Sequence, residues 1–480
     1  MAEIIFEDGY KKYTAERIHH WNQYSIYPTS QNLLKRRYHS RVNAIYSNAI
    51  PQGSDVLEIG CGQGDLLDAL HPSYGMGIDF SEDMIKEATK NHPDLRFLCK
   101  DAHQLGEIKH KFDYIILSDL VNDLWDVQRV FEEINKLSKP STRIIINHYS
   151  RIWQVPIKIA EALHLAIPTL EQNWLILSDM EDILKLSGFE MIHSWREILF
   201  PISIPIIADF FDKLLVRIWP FSWFAMTNFI IARPEPNRKI SKPAVSIIIP
   251  ARNEAGNISS IINRIPEMGE LTELVFVEGN SSDNTFETIK SEILLHPKIN
   301  AQLIKQPGKG KGDAVRAGFD LAKGEILMIL DADLTVPPED LPRFYNALIT
   351  GKGEFINGVR LVYPMEKEAM RFFNFLGNKF FSIAFSWLLG QPVKDTLCGT
   401  KVLWKRDYER IKAGRNYFGD FDPFGDFDLL FGAARLNLRI IDLPIRYHER
   451  TYGTTNISRW SHGWLLLKMV AFAAGRIKFI

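Results

Sequence analysis

Two acids one residue apart, Asp331 and Asp333, close an apolar run in the stretch LMILDADLT. Alternation at a strand end would turn both side chains the same way, with Ala332 opposite. Two hard carboxylates are what Mg2+ or Mn2+ uses, with a diphosphate supplying more oxygens. Such an ion neutralises charge that develops on a leaving nucleoside diphosphate. Standing alone, the pair would do no more than cap the helix that begins near PPEDL.

A second stretch, VLEIGCGQGD from Val56, has the same shape with glycines in place of the second acid. Gly60, Gly62 and Gly64 let the backbone turn tightly and approach a ligand without Cβ obstruction. Glu58 precedes them. Asp79 ends the next apolar run, about twenty residues on, where a carboxylate can accept two ribose hydroxyls. Asp101 with Ala102, and Ser118 with Asp119, follow two further runs. Asp119, Asp123 and His148 are candidate bases for an oxygen acceptor; turn formation and helix capping are the competing roles for each.

More chemistry-bearing residues lie in the second half. IIIPARNEA holds Pro250, Ala251, Arg252, Asn253 and Glu254; VEGNSSDNT holds Glu278 and Asp283; GKGKGDAVRAG holds Lys311 and Asp313. Asp426 and Asp428 stand in FGDFDLL, and RYHERTYG offers Arg446, His448 and Arg450 to phosphates.

The elements that position these residues follow from patterning. Short β-rich runs alternate with helical ones in both halves, which predicts two α/β domains with mostly parallel sheets. RPEPNRKISKP, from Arg233 to Pro243, is charged and proline-rich between apolar strands. It sets the expected division: domain one over 1–235, a linker over 236–243 and domain two over 244–480. A chain of 480 residues exceeds what one core usually supports. The formal net charge of −1 excludes nucleic-acid binding through bulk charge. Three scattered cysteines, Cys61, Cys99 and Cys398, suggest no disulfide framework and point to a reducing cytosol.

The ordered acids and glycines of the first half resemble class I S-adenosylmethionine-dependent methyltransferases, over about residues 35 to 233. The resemblance implies a Rossmann-like sheet with S-adenosyl-L-methionine as cofactor. Gly60, Gly62 and Gly64 would underlie its methionine part and Asp79 would hold the ribose. Asp101 and Ala102 would face the adenine, with Ser118 nearby, and Glu58 would help position the cationic end. The ordered motifs of the second half resemble family-2 glycosyltransferases that make polyprenyl-phosphate sugars, over about residues 244 to 460. That implies a GT-A-type nucleotide-sugar-binding α/β sheet and inverting transfer to a lipid-phosphate or glycan acceptor. Pro250 to Glu254 would line the base and ribose, with Glu278, Asp283, Lys311, Asp313 and Ala332 bordering the nucleotide-sugar. Asp331 and Asp333 would hold Mg2+ or Mn2+, and Asp426 or Asp428 would serve as a catalytic acid or base group. KDTLCGTK matches the family's Asp-x-x-Cys-Gly-x-Lys segment. Glu278 and Gly279 replace the usual Asp-Asp, so the nucleobase stays open. A sugar nucleotidyltransferase is the rival for this half, and a non-catalytic scaffold the rival for either.

Three stretches are unusually greasy: 200–224, 371–390 and the C-terminal GWLLLKMVAFAAGRIKFI. None reaches the ~18 uninterrupted apolar residues of a membrane span. Helices lying in a bilayer surface are expected as readily as core packing, so the enzyme is expected in the cytoplasm with peripheral contact on the inner face of the cell membrane.

Overall fold

The computed structural model describes residues 2–24, 33–163, 169–200, 204, 206–236, 242–360, 372–415, 426–448, 450, 452 and 459–479. The chain forms two compact units, Met1–Glu235 with Lys478–Ile480, and Pro236–Ile477.

The first unit is built on a seven-stranded sheet of order β3-β2-β1-β4-β5-β7-β6. Its strands are β1 (Asp55–Ile59), β2 (Tyr74–Asp79), β3 (Arg96–Cys99), β4 (Phe112–Ser118), β5 (Ser138–Tyr149), β6 (Phe189–Glu197) and β7 (Thr227–Pro234). The strands from β3 to β5 pair in parallel, and β7 runs antiparallel to both neighbours. The helices are α1 (Ala2–Tyr24), α2 (Leu33–Ala49), α3 (Asp65–Ala69), α4 (Glu82–Asn91), α5 (Val127–Lys136), α6 (Gln154–Ala162), α7 (Leu177–Leu186) and α8 (Ile207–Asp209). Near-continuous apolar strands are what a sheet covered on both faces requires. One face packs against Tyr38, Val42 and Tyr46 of α2. The other packs against Val130, Phe131 and Ile134 of α5 with Met180 and Leu184 of α7. α5 shows why these sequences become helices. Val127, Val130, Phe131 and Ile134 make one buried stripe, and Asp126 caps the end by accepting from the Arg129 amide at 3.0 Å.

The second unit repeats the logic with sheet order β10-β9-β8-β11-β13-β12-β14. Its strands are β8 (Val245–Ala251), β9 (Thr272–Glu278), β10 (Asn300–Lys305), β11 (Ile326–Ile329), β12 (Phe355–Val359), β13 (Lys401–Trp404) and β14 (Ile440–Pro444). Here β13 is the antiparallel strand, paired with β11 and β12. The helices are α9 (Ile258–Arg264), α10 (Thr285–Leu295), α11 (Lys311–Leu321), α12 (Leu341–Ile349), α13 (Phe372–Leu389), α14 (Lys405–Ala413), α15 (Asp426–Arg435) and α16 (Arg459–Ile477). Gly318 lets α11 lie close on the sheet, because a Cβ there would meet Ile248 Cγ2 at 2.5 Å.

Each sheet reverses its winding once. After β1 the chain builds outward through β2 and β3, then returns to place β4 on β1's other side. After β8 it does the same through β9 and β10 before β11. Open α/β sheets bind ligands outside the carboxyl ends of the strands at such a switch point. Gly60 follows β1, and Asp331 follows β11, so both sequence motifs arrive there.

Two candidate functional sites

At the first switch point Gly60, Gly62 and Gly64 take φ of 74°, 52° and 81°. At Gly60 a Cβ would press on Leu120, whereas a Cβ at Gly62 would meet nothing within 4 Å. That open side is a cradle where a ligand can lie on bare backbone. Asp79 holds the loop: one carboxylate oxygen accepts from the Gly62 amide at 3.0 Å and the other from the Ser81 amide at 2.9 Å. The N-cap of α4 is Ser81, whose hydroxyl accepts from Met84 N. Asp79 therefore does not cap that helix with its side chain. Burial pushes its carboxyl above the usual range. Glu58 is buried more deeply, and its Oε2 has no hydrogen-bond partner among the described residues. Burial raises its carboxyl well above normal too. An orphaned acid oxygen beside a bare glycine loop fits the cationic end of the expected cofactor.

A partly open cleft lies here. Gly60, Asp79, Asp101 and Ala102 line it, together with Phe80, His103, Leu124 and Trp125. Glu58, Gly62, Gly64 and Ser118 lie outside the lining; Ser118 ends β4 in register with Asn147. Asp101 accepts from the His103 amide at 2.8 Å and pairs with His103 Nδ1 at 2.7 Å, and the Tyr10 hydroxyl also reaches it. Burial opposes ionisation of Asp101, but these bonds hold its carboxyl below the usual range.

The wall missed in the sequence is α1. Tyr13, Thr14 and Arg17 line the cleft. Arg17 donates to Asp123 Oδ1 at 2.7 Å and lies over the Tyr13 ring, 3.3 Å from its centroid. Trp21 Nε1 donates to Asp123 Oδ2 at 2.8 Å. The readable signal was Tyr10, Tyr13, Arg17 and Trp21, spaced by three or four residues along one helix face.

The three candidate bases separate on these contacts. Asp123 is held on both oxygens by α1. His148 is fully buried, and burial lowers it to about 4, so its ring is neutral. Asp119 has φ of 54° and accepts at Oδ1 from Tyr38 Oη and Asn147 Nδ2, both at 2.6 Å. Burial raises it to about 7, the range a general base uses.

At the second switch point the loops after β8 and β9 are stitched together. Asn253, with φ of 57°, accepts from the Ser282 amide at 2.8 Å and donates its own amide to Ser281 Oγ at 3.0 Å. Glu278 accepts from the Ser281 amide at 2.5 Å. Asp283 accepts from Thr285 N at 3.1 Å, and Asp313 accepts from Gly308 N at 2.8 Å, so both shape turns. Pro250 and Ala251 end β8, and Arg252 beyond them is exposed.

Strand alternation does not orient the two acids. β11 stops at Ile329, and 331–334 is a turn in which Leu334 has φ of 55°. Asp333 Oδ1 shapes that turn by accepting from Thr335 N at 3.1 Å and Thr335 Oγ1 at 2.7 Å. Its Oδ2 takes Arg450 Nη2 at 2.6 Å. Asp331 pairs with Lys311 Nζ at 2.5 Å. Burial opposes ionisation of Asp331, but Lys311 first, then Lys401 and Arg360, hold its carboxyl below normal. Arg450 also reaches Glu254 at 3.4 Å; burial raises Glu254 to about 7. Ala332 is buried in the core. His448 joins the turn through its backbone N to Thr335 O at 3.0 Å, and Arg446 is exposed.

The Asp-x-x-Cys-Gly-x-Lys segment, which leads into β13, braces this corner. Asp395 forms a two-point pair with Arg360 at 2.7 and 2.8 Å. Lys401 is fully buried and donates to Cys398 O at 2.5 Å. Gly399 lies so close that a Cβ would collide with both the Asp331 carboxylate and Lys311 Nζ.

Asp428 has a cation partner of its own in Arg415. Its Oδ2 accepts from Arg415 Nε at 2.8 Å, in a pair only 19 % and 10 % exposed. Its charge reaches Tyr408, whose hydroxyl lies 3.4 Å from Asp320. Asp320 is nine residues along α11 from Lys311, about 14 Å at helical rise. The side chain of Asp426 lies outside the described residues. Among the described residues no group of three or more His, Cys, Asp or Glu is arranged to hold a metal. The donor set at the turn is two carboxylates, each already seated against a cation. That chemistry fits a divalent ion completed by phosphate oxygens.

Family models match twice: a methyltransferase domain over residues 50–191, and glycosyl transferase family 2 over residues 246–408. The chain joins a methyltransferase domain to a family 2 glycosyltransferase domain. Both are transferase domains, and the nucleotidyltransferase alternative is set aside.

The glycosyltransferase domain is 38 % identical over 109 residues to a dolichol-phosphate mannosyltransferase of Saccharomyces cerevisiae, covering 22 % of this chain and 40 % of that protein. It is 29 % identical over 249 residues to a dolichyl-phosphate beta-glucosyltransferase of Trichomonas vaginalis, covering 46 % and 71 %. The chain thus spans less than half of the yeast relative's length. Among solved structures, a glucosyl-3-phosphoglycerate synthase from Mycobacterium tuberculosis aligns at 19 % identity with a TM-score of 0.37, covering 50 % of this chain and 81 % of that one. The methyltransferase domain aligns with a magnesium protoporphyrin IX methyltransferase from Synechocystis at 16 % identity with a TM-score of 0.32, covering 45 % and 93 %.

Proposed function

We propose that the chain is a bifunctional enzyme. Its first unit transfers a methyl group from S-adenosyl-L-methionine. Its second moves a sugar, with inversion, from a nucleotide-sugar to a polyprenyl-phosphate or glycan acceptor with help from Mg2+ or Mn2+. The observation that supports the second activity most is the placement of Asp331 and Asp333, each paired with a cation, at the switch point of the sheet.

In the first unit the cofactor, when bound, supplies an activated methyl on a good leaving group, and the chain supplies alignment. Gly62 offers bare backbone, Glu58 a carboxyl, and Asp79 and Asp101 acceptors for hydroxyls and adenine. Tyr38 and Asn147 hold Asp119 Oδ1, leaving Oδ2 for an acceptor proton. In the second unit a divalent ion would be held by Asp331 and Asp333 and would supply charge neutralisation at the diphosphate. Lys311 and Arg450 stand beside both acids and can turn to phosphate oxygens. Arg252 adds an exposed cation. A polyprenyl phosphate is anionic and needs no base, which agrees with Asp428 being held by Arg415.

The relatives named for dolichol phosphate support a lipid acceptor for this domain. So do two helix faces. Phe380, Ile383 and Trp387 are exposed along α13, and Trp464, Leu467 and Phe472 along α16. Lys468 and Arg476 lie over the Trp464 and Phe472 rings. The side chains of Phe372, Phe373 and Leu376 lie outside the described residues. Among the described residues no helix is long and apolar enough to cross a membrane. The proposed location is peripheral, on the cytoplasmic face of the cell membrane.

The test is a donor-hydrolysis screen over UDP-, GDP- and dTDP-sugars with and without Mn2+, run beside calorimetry with S-adenosylhomocysteine. Metal-dependent release of one nucleotide and micromolar binding of the thioether are expected. Absence of the first removes the sugar-transfer reading, and absence of the second removes the methyl-transfer reading.

A further inference from the structure

The methyltransferase unit carries an apolar surface of its own, apart from its cleft. Two segments build it. β5 ends at Tyr149 and runs through Ser150 into a turn over Arg151–Trp153 and then α6. The other is the stretch from α8 to Phe224, which leads into β7. They are joined at their base. Tyr149 pairs with Thr227, Ser150 N donates to Met226 O at 2.8 Å, and Trp153 Nε1 donates to Phe224 O at 2.8 Å.

The polarity of the 206–224 stretch is the reverse of an ordinary surface segment. Its acid Asp212 is turned inward, 1 % exposed. There it accepts from the amides of Leu199 and Phe200 at 2.8 and 2.9 Å and pairs with Arg37 at 3.1 Å. Arg217 is likewise turned in, against Glu197. The large apolar side chains point out: Trp219 is 72 % exposed and Trp223 56 %, with Phe210, Phe221 and Phe224 beside them. α6 adds Val155 and Ile159, and Leu163 follows at its C-cap, all more than half exposed. Buried ion pairs pin the segment while its aromatic side is held outward. Isolated exposed apolar residues need no explanation, but a contiguous set of this size marks an interaction surface.

The charges on this surface choose the partner. Arg151 and Lys158 are exposed, and neither meets an acid among the described residues. Lys213 is 44 % exposed and 3.9 Å from Asp209, which Arg37 also engages at 3.1 Å. Glu161 is occupied by the Thr169 amide and hydroxyl at 2.9 and 2.7 Å. Cations at liberty, acids occupied, and exposed tryptophans are the composition of a segment lying in the headgroup layer of an anionic bilayer.

We infer that the methyltransferase unit docks on an anionic phospholipid surface through α6 and the 206–224 segment, independently of α13 and α16. The test is co-flotation of the full chain with phosphatidylcholine vesicles containing roughly 30 % or no phosphatidylglycerol. The triple variant Ile159→Ser/Trp219→Ser/Trp223→Ser should weaken binding to anionic vesicles at least tenfold and leave S-adenosylhomocysteine binding unchanged. Arg151→Glu/Lys158→Glu touches no packing and should abolish the preference for anionic over neutral vesicles. A Phe380→Ser/Trp464→Ser variant should keep the residual binding that the triple variant lacks. Undiminished flotation of the triple variant overturns the inference. So does a vesicle-free dimer, seen by sedimentation, that the triple variant splits, because the face would then be an interface between two copies.

Discussion

Asp331 and Asp333 could be read from the sequence, but their surroundings could not. The motif LMILDADLT gave the residue types; it said nothing of Lys311 or of Arg450, 117 residues further on, seated against them. Pairing across such separations has no local periodicity to read. Asp331→Asn or Asp333→Asn should lower metal-dependent donor hydrolysis by at least a hundredfold, about 2.7 kcal/mol of lost stabilisation of the leaving diphosphate. Asp428→Asn should retain most transfer to a polyprenyl phosphate, and near-total loss would count for a hydroxyl acceptor instead. Gly399→Ala should be nearly as damaging as the Asp331 change, since its methyl would displace both members of the Asp331–Lys311 pair. Asp119 makes a prediction in pH. Its folded pKa of about 7 lies above the ordinary aspartate value of 3.8, so the folded state binds the extra proton between those values. Its contribution to stability is therefore present below about pH 4, falls as pH rises, and is gone above about pH 7. Thermal melts at pH 5 and pH 8 should show Asp119→Asn gaining on the wild type at the higher pH.

At the scale of elements, the strands were legible and several helices were not. β1, β4, β8 and β11 announce themselves as short, largely apolar runs, because both faces of each sheet are covered. α1 gave no such signal. Its sequence carries tyrosines, lysines and histidines with no apolar stripe, so amphipathic reading passes over it. What binds it down is polar: Arg17 with Asp123 at 4 % and 10 % exposure, and Tyr10 on Asp101. Removing one partner of such a buried pair costs about 3–5 kcal/mol. Arg17→Ala should therefore lower the melting temperature of the methyltransferase unit. It should also weaken S-adenosylhomocysteine binding at least tenfold by calorimetry, since Arg17 lines the cleft. α6 was hidden for the opposite reason. Its apolar residues face outward, whereas hydrophobic periodicity is ordinarily taken to mark the buried side.

At the scale of the molecule, the alternation of β-rich and helical runs anticipated two α/β bodies, and the chain forms two compact units. Among the described residues each sheet has its own buried clusters, with no residue common to both. Separate cores predict separate responses to ligand. Saturating S-adenosylhomocysteine should raise one calorimetric transition. A nucleoside diphosphate with Mn2+ should raise another, each by several degrees at a hundredfold excess over the dissociation constant, about 2.7 kcal/mol. A single transition moved equally by both would show that the two bodies melt together.

Lys311 and Arg450 leave the two acids of the second site charge-paired at rest. Either would lose its counter-charge if Asp331 or Asp333 were claimed by something else, unless a phosphate oxygen arrived in the same moment to receive it. The chain is thus arranged to swap partners instead of acquiring them. Its affinity for a free divalent ion, or for a bare nucleotide, should be feeble beside its affinity for the two presented together.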